Sequence, residues 1–166
     1  MGRTHDKLML GAARSGNFGR MERLLAEGAD ENARGKYGFT PLVNASSSGH
    51  PDAVRLLLDA GATPSMRTDD GGTALYWAAS AGHADVVRLL LDRGAEVDAM
   101  RESDWTPLTA AIYNGHESVA ELLLESGARG DHESHGENMY QWAVKHGREQ
   151  VAQSLQRRGW HGSGRR

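Results

Sequence analysis

The sequence predicts an all-α solenoid of about five stacked helix-turn-helix units. Two sets of glycines carry that expectation. Gly16, Gly49, Gly82, Gly115 and Gly147 recur at spacings of 33, 33, 33 and 32 residues. Gly28, Gly61, Gly94, Gly127 and Gly159 each follow a member of the first set by 12. A period of this size marks a stacked-repeat architecture. The third observation is an apolar stripe between the two sets, at i, i+3, i+4 spacing: Val54, Leu57 and Leu58, then Val87, Leu90 and Leu91. That spacing places one buried face on a helix.

Each unit opens on a helix start: Thr40-Pro41, Thr73-Ala74, Thr106-Pro107 or Asn138-Met139. Thr or Asn accepts a hydrogen bond from an orphan N–H of the first turn, and Pro loses nothing at the first helical position. A short small-residue helix follows, such as Leu108-Thr109-Ala110-Ala111-Ile112. The first glycine ends it, because glycine takes a left-handed conformation without a Cβ clash. The second helix carries the apolar stripe, with charges such as Asp85, Arg88 and Asp92 on its other face. The second glycine ends this helix, and a loop of about ten residues leads to the next start. The units are expected at about 5–33, 34–66, 67–100, 101–133 and 134–160, in one domain of residues 1–160 with a short tail, 161–166.

Composition fits a globular chain. Of 166 residues, 39% are hydrophobic and 25% charged. The longest apolar run, Ala74 to Ala79, is far too short for a membrane span. The start of the chain lacks an apolar signal segment and a myristoylation motif. A cytoplasmic location, with no membrane partner, is expected. The net charge of −3 argues against general nucleic-acid binding, which needs an excess of cations. Cysteine is absent, which removes disulfides, thiolate metal sites and cysteine nucleophiles. Arginine outnumbers lysine 16 to 3, as expected of a GC-rich, bacterial genome.

The motifs Gly38-Phe39-Thr40-Pro41-Leu42 and Gly71-Gly72-Thr73-Ala74-Leu75 resemble those of ankyrin repeats. So do the pairs Gly49-His50, Gly82-His83 and Gly115-His116, and the Leu-Leu-Leu-x-x-Gly-Ala endings. The likeness runs over about residues 5–160, strongest in the three central units. The terminal units are degenerate, as expected where one face meets water. The sequence departs from the family in three places. The usual His after Thr-Pro-Leu is replaced by Val43, Tyr76, Thr109 and Gln141, which predicts a weaker hairpin network. Asp104 replaces a turn glycine, where a left-handed conformation costs about 1 kcal/mol. The last loop is one residue short.

The resemblance implies protein–protein binding through a concave face lined by hairpin tips and the exposed ends of first helices. The expected binding residues are Tyr37, Phe39, Asp69, Asp70, Glu102, Trp105, Tyr113, Asn114 and His135. Trp and Tyr bury much area for little lost entropy. Tyr76 and Trp77 are expected in the core. Residues 67–130 carry five arginines against eleven acids, a net −6, so a partner with a basic segment is expected.

No catalytic set converges. Ser46, Ser47 and Ser48 lie near His50 without a nucleophile elbow. His50, His83 and His116 read as bonds across turns. Asp131 to Glu137 is ligand-rich but has no established zinc spacing. The expectation is a monomeric, non-catalytic binding module without cofactor or metal, with an inhibitor, immunity-type or regulatory role. The alternative is an enzyme or small-ligand-binding protein using His135, His146, Tyr113 and Asp104.

Overall fold

A computed structural model describes residues 2–131, 133–134 and 137–160. Helix starts lie where the capping residues predicted them. Thr40, Thr73 and Thr106 accept through Oγ1 from the N–H groups of Val43, Tyr76 and Thr109, at 3.2–3.3 Å. Asn138 accepts from Gln141, whose side chain accepts the Asn138 N–H in return, a closed capping box.

Among the described residues ten α-helices follow in five pairs. They are α1 (Gly2–Arg14) with α2 (Phe18–Ala26), α3 (Pro41–Ser47) with α4 (Pro51–Asp59), and α5 (Ala74–Ala81) with α6 (Ala84–Asp92). Then come α7 (Pro107–Asn114) with α8 (Glu117–Glu125) and α9 (Met139–Lys145) with α10 (Glu149–Arg157). A two-residue antiparallel ladder, Glu133–Ser134 with Glu137–Asn138, precedes α9. This is the all-α repeat solenoid that the glycine period predicts.

The odd-numbered helices form one layer and the even-numbered the other. Ala13, Ala45, Ala78, Ala79, Ala111 and Ala143 are fully buried along the first layer, where small side chains let α1, α3, α5 and α7 approach closely. The even layer packs on Leu57, Leu90, Leu123 and Leu155, and its helices touch less. Unequal approach bends the stack toward the odd helices, which makes theirs the concave face. One seam is looser: α9 packs against α7 much less closely than α7 against α5.

The two glycine sets differ in what they do. Gly82 and Gly94 share a φ of 80°. A Cβ at Gly94 would meet nothing, whereas one at Gly82 would lie 2.5 Å from the His116 ring. Gly16 and Gly49 lie likewise beneath His50 and His83. Each ring bonds a carbonyl in the last turn of the preceding inner helix: His50 Nε2 to Arg14 at 3.1 Å, His83 Nε2 to Ser47 at 3.2 Å, His116 Nε2 to Ser80 at 3.1 Å. A carbonyl can only accept, so Nε2 carries the hydrogen. The first glycines thus serve both a left-handed turn and an overlying ring. In the last unit Arg148 covers Gly115 instead.

The hairpins lack the bridging His but are linked in other ways. Arginines link them. Arg34 Nη1 donates to the Arg67 carbonyl at 3.1 Å, and Arg67 Nη1 to that of Met100. Backbone bonds continue the ladder, Asp69 N–H to Tyr37 O at 3.0 Å and Glu102 N–H to Asp70 O at 3.1 Å. Asp104 adopts φ 60°, the left-handed turn expected of it. Tyr37, at φ 58°, does the same without having been expected to.

Candidate functional site

Among the described residues, three grooves lie along the concave face. The central one, of about 490 Å³, is lined by Tyr37, Phe39, Asp69, Asp70, Trp77 and Glu102. Phe39 packs on Trp77 with ring centroids 5.1 Å apart. Trp77 is therefore a correction to the expected core position: it is half-buried and forms a groove wall, while Tyr76 beside it is buried as expected.

The acids of this groove are not equivalent. Asp70 Oδ2 lies 2.5 Å from Arg101 Nη2, and its other oxygen accepts from Thr68 Oγ1 and the Gly72 N–H. Burial pushes the Asp70 carboxyl up. The hydrogen bonds from Thr68 and Gly72 and the Arg101 charge outweigh this and hold it below the usual carboxylate range. Arg101 is committed too, donating to Tyr76 Oη at 3.0 Å and lying over the Tyr76 and Trp77 rings. Asp70 thus serves the hairpin, and its charge is already matched. Asp69 and Glu102 are exposed. Asp69 holds an exposed ion pair with Arg34 at 3.2 Å, a contact worth little in water.

Asp70→Asn is expected to cost about 1–2 kcal/mol of stability, since it leaves Arg101 and Thr68 partly unpaired. The folded pKa is depressed. The contribution is therefore complete above the unfolded value of 3.8 and fades as pH falls through the lower folded value. Acid unfolding curves of the two proteins should converge as pH falls through that lower folded value. Curves that stay parallel would show that Asp70 does not carry the effect.

The C-terminal pocket, about 290 Å³, lies at the loose α7–α9 seam. Trp105, Thr109, Tyr113, Glu137, Met139, Trp142 and Lys145 line it. Trp105 meets Tyr113 edge to face at 4.9 Å. Tyr113 meets Trp142 at 5.2 Å, and Trp142 stacks on His146 at 4.0 Å. Tyr113 is nonetheless 54% exposed. Lys145 Nζ pairs with Glu137 at 2.7 Å on the rim. Sequence reasoning missed Trp142. The signal was its register, since Trp142 and Trp77 fall at the same position of their helices. Asn114 donates to the Ser80 carbonyl and hydroxyl at 2.9 and 3.0 Å, so its amide ties α7 to α5 at the groove edge. His135 lies outside the described residues, as does His132.

The third groove, about 450 Å³, lies at the N-terminal end between α1, α3 and the hairpin at Gly35–Phe39. Lys7, Arg14 and Lys36 line it and are not among the expected binding residues, whereas Tyr37 and Phe39, which line it too, are.

A catalytic constellation does not assemble around the serines. Ser46 is fully buried, Ser47 Oγ donates to the Asn44 carbonyl, and the His50 ring bonds Arg14. Among the described residues no three His, Asp or Glu side chains converge as metal ligands, and no helix is long and apolar enough to cross a membrane.

No curated protein matches the chain. A family model described as ankyrin repeats (3 copies) matches residues 8–101 and 95–161. Those segments span nearly all of the paired helices, and such repeats are generally protein–protein interaction modules. The helix pairs, the left-handed glycine turns and this match together establish that the chain belongs to the ankyrin-repeat family.

Proposed function

We propose that the chain binds a partner protein through its concave face, without catalysis, as an inhibitor, immunity-type or regulatory protein. One observation carries the reading. The rings of Trp105, Tyr113, Trp142 and His146 form a continuous aromatic run on that face, and Tyr113 keeps more than half its surface in water. Aromatic area left exposed beside a pocket is what an interface buries at its centre.

Tyr37, Phe39, Asp69, Glu102 and Asn114 extend this surface toward the N-terminus. In the central groove aromatic walls meet two exposed carboxylates, a pairing that favours a cationic side chain. A basic stretch of the partner fits there. Asp70 contributes by shaping the hairpin rather than by offering charge. The Tyr113 pocket is at the lower limit of small-ligand cavities, about 300 Å³, and none of the grooves brings a nucleophile to a base.

The test is site-specific photocrosslinking. Benzoylphenylalanine in place of Tyr113 should capture the partner in source-cell extract. The same label at Arg88, exposed on α6, should not. The reverse pattern would place binding on the convex side.

A further inference from the structure

We propose that the N-terminal groove is a separate subsite for an acidic segment of the partner protein, so that the concave face binds its partner in one direction only. This rests on the reading of the concave face as a protein-binding surface; Tyr37 and Phe39 are shared with that reading, and Lys7, Gly11, Arg14 and Lys36 are new to it.

The charge is segregated. The groove is lined by Lys7, Arg14 and Lys36, and no carboxylate is among its lining residues. Among the described residues no ion pair forms at any of the three cations. Lys36 Nζ lies 4.5 Å from the Tyr37 ring, a contact that leaves its charge uncompensated. The next groove along the face carries Asp69 and Glu102. In a chain of net charge −3, three cations gathered without acids make a local field of the opposite sign.

Two further features point to occupancy. Gly11 lies in the interior of α1, on the inner face between Lys7 and Arg14. Its φ is ordinary, and a Cβ there would meet nothing within 4 Å. Glycine weakens a helix interior, and packing does not require it here. It occupies the register that Trp77 and Trp142 hold in later units, so its effect is to leave the groove open. The second feature is Tyr37. Its backbone is left-handed at φ 58°, ψ 25°, unusual for a tyrosine, and its ring is 63% exposed. The strain is not repaid by burial within the chain, and strain of this kind gathers at binding sites.

The occupant that fits is an extended segment. Its carboxylates would meet Lys7, Arg14 and Lys36, and its apolar atoms would rest on Leu10, Tyr37 and Phe39. Asn44 also lines the groove, and its side-chain amide can both donate to and accept from the backbone of such a segment. A partner with acidic residues followed by basic ones satisfies both grooves in one orientation. Reversed, it places like charges together in each.

The experiment is a two-dimensional amide NMR titration of the whole chain with octaglutamate, octalysine or inorganic phosphate. Octaglutamate should shift the Gly11, Asn44 and Ser47 amides saturably, and octalysine should not. Lys7→Glu with Lys36→Glu should weaken octaglutamate at least about tenfold. Gly11→Ala should raise the melting temperature and leave binding intact, whereas Gly11→Trp should abolish binding in a folded protein. Trp105→Ala should not affect octaglutamate. Phosphate that shifts the same amides as tightly would mean a free-anion site and overturn the proposal. So would octaglutamate that leaves these amides unmoved, or that binds Gly11→Trp like the wild type. If octaglutamate behaves as expected while the Arg88 label and not the Tyr113 label captures the partner, the concave-face reading fails and the groove remains a polyanion subsite.

Discussion

Gly82→Ala is expected to destabilise the stack by about 3 kcal/mol, and Gly94→Ala by about 1 kcal/mol. Both glycines have φ 80°, so the cost of forcing an alanine into the left-handed region, about 1–2 kcal/mol, is common to both. The difference lies overhead. At Gly82 the new methyl would sit 2.5 Å from the His116 ring, and at Gly94 it would sit in open space. His116 would have to move and release the Ser80 carbonyl, a bond worth about 1 kcal/mol with further loss in packing. For a chain of this size the gap corresponds to roughly 5 °C or more in melting temperature. In a His116→Ala background the two substitutions should cost nearly the same, because the clash is gone. Equal costs in the wild-type background would mean that the histidine column does not press on the glycines.

Trp105→Ala should weaken partner binding by about 2 kcal/mol or more, close to thirtyfold. Trp105 is half-buried at the start of the aromatic run, and truncation removes both its own area and the support it gives Tyr113. The hairpin itself should survive. Arg101 N–H donates to the Trp105 carbonyl at 2.8 Å, and that backbone bond does not depend on the indole. Asp69→Asn with Glu102→Gln should chiefly slow association and flatten its salt dependence. Arg88→Ala on the convex side should be silent. Glu121 is unsuitable as such a control, because Ser154 Oγ donates to both its carboxylate oxygens, at 2.6 and 2.8 Å. Full affinity for Trp105→Ala, with a loss for Arg88→Ala, would sink the hot-spot assignment.

What the sequence made legible obeys local rules. Thr40, Thr73, Thr106 and Asn138 cap helices because capping needs only the next three residues. Asp104 turns left-handed because its place in the period demands it. The features that escaped are contacts between units. His116 reaches the Ser80 carbonyl across 36 residues, and Arg34 reaches that of Arg67 across 33. Inspection of one period shows neither. Asp70 looked available because a hairpin tip is normally wet, and only the fold brings Arg101 to it. The cationic groove was hidden for a different reason. Net charge along the chain does not show it, because Lys7, Arg14 and Lys36 are gathered by a helix face and the hairpin that folds over it. Trp142 shares its register with Trp77, a position that lines a groove in four of the five units, as Gly11, Asn44, Trp77 and Trp142, and is buried only at Ala110.

The most direct test of the concave-face account is hydrogen–deuterium exchange of the chain alone and with its bound partner. Segments 36–39, 69–72, 102–114 and 139–146 should become protected, while the outer helices at 51–59, 84–92 and 117–125 should exchange as before. Protection confined to those outer helices, with the Trp105–Tyr113 segment unchanged, would contradict it.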